Sequence, residues 1–258
     1  MTDQPHNILL LTAMVSEMLP ILQALDLSSR DIDKTSQLNE HFQITPSVVG
    51  VGTKFASEHT KKLIEKHAPD LIVLLGISGS LDPHLKSGDL VIPDSFITDN
   101  KDPVVLPEAA RNKRVIQNFQ TIDALKEAIS ITASQLVTTP EYKLHLYEHK
   151  LAQIVDMESY PVARSAREYS IPAIVIRSIS DTSDDHLLPE ASNWVDQKTG
   201  NQKPIAAFFH LLTHPTVLPE MLYMKKTFEI ATQSLAIAAK QLFSNLPIKE
   251  DDQTCDEE

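Results

Sequence analysis

One cysteine, Cys255, is all that the 258 residues contain, so neither an intrachain disulfide framework nor a cysteine-based metal site can form. A reducing cytoplasm fits that usage. Long apolar runs are missing as well. Ile8–Leu11 and Leu71–Leu75 fall far below the roughly 18 residues that suggest a membrane span. Met1–Asn7 carries no basic leader segment, so neither export nor membrane insertion is expected. Dense Lys/Arg blocks are also absent. Thirty-five acids against 23 bases give a formal charge of −12, and Lys249–Glu258 alone holds six acids and one lysine. The body therefore carries about −7 and lacks the footprint that binding to a phosphate backbone requires; nucleic acid is discounted as a partner. Glycine is scarce at six residues, while 42% of the chain is hydrophobic and 22% charged. Collagen-like, disordered and low-complexity classes are excluded for the chain as a whole.

What is present is an alternation of short apolar runs and helical spacings. Ile8–Leu11 reads as a strand, Thr12–Ser16 as a turn and Val15–Leu27 as a helix. Ile44–Val49 is a second strand, and the Gly50-Val51-Gly52 turn leads into a helix over Thr53–His67 that Ala68-Pro69-Asp70 stops. Leu71–Leu75 is an uninterrupted apolar strand, of the kind that suits a sheet covered on both faces, and Gly76–Ser80 reads as the turn after it. Asp89–Ile97 reads as a strand interrupted by Pro93, Asn100–Arg114 as a polar excursion, and Val115–Ile129 as a helix. Gln153–Val155, Ser159–Tyr169 and Pro172–Ile176 repeat the strand, helix, strand order. Ile205–Leu246 is expected to be helical in at least two pieces, broken near His214-Pro215 and Pro219. The alternation favours one α/β domain over two. Residues 1–246 form that domain with a helical C-terminal extension, and 247–258, too charged to repay ordering, form a disordered acidic tail.

Five of the six glycines, Gly50, Gly52, Gly76, Gly79 and Gly88, fall within 39 residues. Glycine is wanted where backbone approaches something closely, and the carboxyl ends of strands are where open α/β sheets gather ligands. Plain tight turns are the other reading. Gly50-Val51-Gly52 has Phe55 where a dinucleotide fingerprint needs its third glycine, and Gly52-Thr53-Lys54 is no phosphate loop, so no cofactor is implied. Three acids occupy strand ends: Glu17 after the first strand, Glu158 within Asp156-Met157-Glu158, and Asp181 at the end of Arg177-Ser178-Ile179-Ser180-Asp181. A parallel sheet could bring them together. Solvated acids in first helical turns, favoured there by the helix dipole, are the alternative for Glu17 and Glu158.

At these residues the sequence resembles a family. Thr12–Glu17, Gly50–Gly52, Leu75–Leu81 with Gly88–Ile92, Val155–Ser159 and Val175–Asp181 are similar, in order, to blocks of the purine nucleoside phosphorylase superfamily. Within it they look most like the 5′-methylthioadenosine/S-adenosylhomocysteine nucleosidases. Gly79–Pro83, Ser180–Pro189 and the segments from Trp194 through Leu218-Pro219 resemble, more narrowly, the hopanoid-associated phosphorylases, a family associated with removing adenine from adenosylhopane. The resemblance implies a three-layer sandwich around a mixed, largely parallel sheet. It also implies a cytoplasmic enzyme with a nucleoside substrate, a homo-oligomer such as a homodimer, and, for a lipid nucleoside, contact with a membrane surface.

The resemblance also implies roles. Breaking a ribose–adenine bond puts positive charge on the sugar and negative charge on the base, so the site needs an acid at the purine and anions near the ribose. Asp181 would deliver a proton to N7 of adenine, which asks for a carboxyl pKa raised by partial burial. Glu17 would activate water, Glu158 would accept hydrogen bonds from ribose hydroxyls, and Met157 would lie against the sugar. Arg177 is the expected orienting cation near Glu17, Tyr142 the aromatic beside the purine, and Ser180 a partner of Asp181 or the base. Ile77 and Ser78 would contact substrate, with Gly52 and Gly76 in support. Leu74 and Ile77 stand where the family's phosphorylases use Arg and Ser, so hydrolysis is favoured over phosphorolysis; Lys54, Ser78 or Arg177 are what phosphate would have to use. Ile77 and Thr138-Thr139-Pro140 also depart from the nucleosidase pattern.

Two readings from other classes stay open. A fold alone does not establish activity, so a silent nucleoside-binding module is one. His145-Leu-Tyr-Glu148-His149 also matches an inverted zinc-peptidase pattern, a remote alternative because a solvated helix face is much the simpler account of that pair. The apolar load of Pro215–Leu246 fits core packing, a subunit contact or a greasy lip for a lipid tail.

Overall fold

The computed structural model describes residues 6–39, 42–98, 101–106 and 124–244. Its order is β1 (His6–Thr12), α1 (Val15–Ala24), β2 (Ser36–Gln37), β3 (Phe42–Val48), α2 (Thr53–His67), β4 (Leu71–Ser80), β5 (Leu90–Thr98), β6 (Lys101–Val105) and β7 (Ala124–Thr132). Then follow α3 (Pro140–Lys150), β8 (Ile154–Asp156), α4 (Ser159–Glu168), β9 (Ala173–Asp181), α5 (Pro204–Thr213) and α6 (Leu218–Ser244).

The uninterrupted apolar strands are explained by the two faces they serve. Successive side chains of a strand point to opposite faces. Ile8 and Leu10 enter one core with Met18, Ile21 and Leu22 of α1 and Leu235, Ala238, Ala239 and Leu242 of α6. Leu9 and Leu11 enter the other, with Ala56 and Ile64 of α2 and Val162, Ala163 and Ala166 of α4. Val73 and Leu75 of β4 face the first core, Ile72 and Leu74 the second. Three layers result, with the sheet in the middle, and each such side chain contributes roughly 1.5–3 kcal/mol by leaving water.

The sheet is mixed. β1 pairs β3 and β4 in parallel, β4 pairs β9 in parallel, and β7 pairs β5 and β8 in parallel. β2–β3, β4–β8, β5–β6 and β5–β9 are antiparallel. β4, β8, β7, β5 and β9 pair in a closed circuit, each joined to the next and β9 back to β4. At the β4–β9 pairing the register shifts between Ser78 and Gly79, so that Ser180 is an extra residue between Ile179 and Asp181. Such bulges re-aim side chains beside functional sites.

Three expectations are corrected. Gly76–Ser80 is the second half of β4 rather than a turn, with Gly76 opposite Arg177 and Ser78 opposite Ile179. Ala124–Ile129 is strand β7 rather than helix. Leu125, Ala128 and Ile129 satisfy helical spacing as well as they satisfy a strand, and pairing with β5 and β8 decides the matter. Lys101–Val105, read as excursion, forms a hairpin strand with β5. The remainder of the expected helix, 115–123, and the acidic tail lie outside the described residues. Among the described residues no helix is long and apolar enough to cross a membrane.

Candidate active site

The site is built where α1 begins. Glu17, the third residue of that helix, folds back so that Oε2 accepts the amides of Ala13 (3.0 Å) and Met14 (2.8 Å), satisfying donors that a helix start leaves orphaned. Oε1 accepts the amide of Ile77 in β4 at 2.9 Å. Glu17 is buried, and loss of solvation pushes its pKa up despite those amides and the nearby Arg177 charge.

Asp156, at the end of β8, holds the next turn. Its carboxylate accepts the hydroxyls of Ser130 (2.9 Å) and Thr132 (2.8 Å) of β7 and the amides of Glu158 (3.1 Å) and Ser159 (3.0 Å). Glu158 is thereby aimed at the α2 start, where Oε1 accepts the Gly52 amide at 2.8 Å. Gly52 has a φ of +91°, a conformation side chains resist, and this is what turns its N–H toward Glu158. Burial pushes the Glu158 pKa up to about 8, opposed by Arg177 and assisted by the Asp156 charge.

Arg177 is fully buried among these acids. Its Nε lies 3.2 Å from Asp156 Oδ2 and donates to Ser159 Oγ at 3.0 Å, one terminal nitrogen donates to the Ile77 carbonyl at 3.3 Å, and the other stands 3.8 Å from Glu158 Oε2. Gly76 has no side chain because a Cβ there would collide with the Arg177 guanidinium. This is the close approach that glycine serves in mid-strand.

Asp181 ends β9. Ser180 Oγ donates to its Oδ1 at 2.7 Å, and Lys143 Nζ donates to its Oδ2 at 2.6 Å. A lysine ammonium thus sits against the carboxylate for which the sequence reading asked only partial burial. Lys143 went unnoticed in the sequence; it carries no motif, and only the helical phase of α3, which buries Lys143 and Leu146, reveals it. Tyr142 is a correction of one position. It is 47% exposed, stacks on His145 with centroids 6.1 Å apart, and is not among the cavity-lining residues. Because α3 turns about 100° per residue, Tyr142 and Lys143 face different ways.

A single cavity of about 510 Å³ is lined by Glu17, Ile77, Ser78, Asp156, Met157, Glu158, Ser180 and Asp181. The three predicted acids thus share one hollow. Arg177, Gly52 and Gly76 stand behind its wall, and the Ser78 hydroxyl, buried, has no partner among the described residues. The far side is mixed, with Leu187, Ala191, Trp194, Val195, Pro204, Ala207, Met224 and Phe228 interleaved with Ser192, Gln197, Gln202, Lys203 and Thr227. His145, Glu148 and His149 lie instead on the exposed face of α3, the two histidines stacked 4.3 Å apart. Among the described residues no group of three or more His, Cys, Asp or Glu could hold a metal. Lys54 is exposed, over the Phe55 ring.

Comparison with known proteins adds three observations. 5′-Methylthioadenosine/S-adenosylhomocysteine nucleosidases from Tolumonas auensis and Buchnera aphidicola are 27% and 29% identical over 150 and 155 residues, covering 51% and 53% of this chain and 65% and 66% of theirs. The chain spans just under two thirds of the length of these curated relatives. Among solved structures, futalosine hydrolase of Helicobacter pylori gives a TM-score of 0.69 at 20% identity, over 93% of this chain and 98% of that one. The Helicobacter pylori methylthioadenosine/S-adenosylhomocysteine nucleosidase with butyl-thio-DADMe-Immucillin-A gives 0.69 at 19%, over 94% and 99%; at such identities the likeness concerns the fold. A phosphorylase superfamily model matches residues 39–203, a stretch that holds Glu158 and Asp181 but not Glu17. With more than half of its length so matched, on a sheet of the same fold, the chain belongs to the phosphorylase superfamily.

Proposed function

We propose that the protein is a nucleosidase that cleaves the N-ribosidic bond of a 5′-substituted adenosine and releases adenine. The observation that carries this reading is the convergence of Glu17, Glu158 and Asp181 on one cavity from three distant strand ends. A carboxylate has about four acceptor positions, and backbone amides take three of those on Glu17. The fourth is left for a water attacking C1′, and the raised pKa suits a general base. Glu158, with its pKa near 8, carries a proton at neutral pH and both donates to and accepts from ribose hydroxyls. Asp181 and Ser180 face the purine, where the departing base gathers negative charge, and Met157 lies against the sugar.

Water is favoured over phosphate by charge. The lining holds four carboxylates, and its one lysine, Lys203, pairs with Asp196 at 3.4 Å. Arg177 stands behind the wall rather than in it, with Asp156 at 3.2 Å and Glu158 at 3.8 Å as its counter-charges. A phosphate dianion would find no unpaired lysine or arginine among the lining residues to receive it. The run of Leu187, Trp194, Val195, Met224 and Phe228 in the far wall favours an apolar 5′ substituent, methylthio or hopane, over the charged homocysteine group. A hopane tail would be drawn from a lipid surface, and α6 turns Leu222 and Ile237, 58% and 60% exposed, outward.

Chromatographic detection of adenine from methylthioadenosine, S-adenosylhomocysteine and adenosylhopane, with and without phosphate, tests the reading. Phosphate-independent release from the apolar substrates is expected. Release that depends on phosphate would make the protein a phosphorylase, and no release from any of the three would end the proposal.

A further inference from the structure

Lys143 is a fully buried lysine with no part in the mechanism above. Its three N–H donors are all engaged, by Asp181 Oδ2 at 2.6 Å, the Thr182 carbonyl at 2.5 Å and the Asp185 carbonyl at 3.3 Å. Burying an ammonium is costly unless it is paired, and this one is held against the cavity's purine-side acid while not lining the cavity itself. Asp181 meanwhile receives donors on both oxygens. So arranged it is an acceptor, whereas expelling adenine needs a donor. Resting on the nucleosidase reading, we infer that Lys143 is the proton reservoir behind Asp181, a positioning residue that reloads the acid through their shared hydrogen bond.

The N9–C1′ bond breaks with its electron pair going to the base. Asp181 takes a proton from Lys143 Nζ and passes one to N7 as the base leaves. Lys143 is left as a neutral amine hydrogen-bonded to the Asp181 carboxylate, and bulk water returns its proton after the base departs. The other titratable groups around the ammonium are few. Asp185 accepts from the amide and hydroxyl of Thr182, and its carboxylate lies 3.3 Å from the hydroxyl of Tyr223 of α6. On α3 the flanking Tyr142 and Leu144 turn outward.

The test compares Lys143→Met and Lys143→Arg with the unaltered enzyme on two substrates across pH. One is methylthioadenosine. The other is 4-nitrophenyl 5-methylthio-β-D-ribofuranoside, whose leaving group departs as the phenolate and needs no proton. Lys143→Met is expected to lose roughly 10²-fold in kcat/KM on methylthioadenosine near neutral pH, the worth of a placed proton donor. Its loss on the nitrophenyl riboside should be slight, and the adenine-releasing activity should recover toward acid, where solvent supplies the proton that the base needs. Lys143→Arg keeps a cation that cannot release its proton and is expected to fail on methylthioadenosine as well. Rescue by Lys143→Arg would show that charge alone matters and overturn the inference. Equal losses on both substrates, or an unshifted pH profile in either folded variant, would also overturn it while leaving the nucleosidase reading intact. No adenine release by the unaltered enzyme would overturn that reading and this inference with it.

Discussion

Glu17 is gripped by three backbone amides, and the lone pair that remains is the one the proposed reaction uses. Replacing it with glutamine points an NH₂ group at amide donors as well as removing a base. Glu17→Gln is therefore expected to lose roughly 10²-fold or more in adenine release, measured on protein whose circular dichroism remains folded. Arg177 answers for charge balance. Arg177→Met leaves Glu17, Asp156 and Glu158 facing one another without a cation, and breaking such a buried pair costs about 3–5 kcal/mol, to be read from urea unfolding. The three acids were legible in the sequence because each follows an apolar run that ends in a turn or a helix start. Asp156 was visible only as a neighbour of Glu158. That it anchors the turn depends on Ser130 and Thr132, which lie more than twenty residues upstream and carry no signal of their own.

Among the elements, α3 matters more than its composition suggests. Thr139 caps it by accepting the Tyr142 amide at 3.3 Å, Pro140 starts it, and the Thr139 carbonyl accepts the Lys143 amide at 3.0 Å. Thr139→Ala is expected to cost about 1 kcal/mol, a shift of roughly 2–4 °C in Tm for a chain of this size, visible by calorimetry. The strands that sequence reasoning placed well, β1 and the first half of β4, are those whose apolar runs serve two cores. It failed where a pattern suited two periods, as in Ala124–Ile129. It also failed where glycines read as a turn, as in Gly76–Ser80, although they mark the crossing of Arg177. The bulge that sets Asp181 one residue out of phase arises from pairing between β4 and β9, and no local pattern announces it.

For the whole molecule, the buried acids tie stability to pH. A carboxyl whose folded pKa stands above its unfolded value contributes stability that is full below the unfolded value and fades as pH rises through the folded one. For Glu158 the window runs from 4.5 to about 8, and Glu17 moves in the same direction. Glu158→Gln, which cannot ionise, should therefore gain Tm relative to the parent as pH is raised from about 6 to about 9, the difference growing to the order of a few kcal/mol. Thermal melts across that range check it, and a constant difference would show that Glu158 stays ionised throughout.

The circuit of five strands closes only when β9 takes its place between β4 and β5. Since β9 carries both Arg177 and Asp181, a nascent chain that has reached only Pro172 owns Glu17 and Glu158 but neither their counter-charge nor the third acid of the cavity. Domains generally fold as units during synthesis, and here the last staves of the barrel bring the reactive parts with them. On the proposed reading a truncated product would thus be inert as well as unstable, since the cavity is complete only on a finished scaffold.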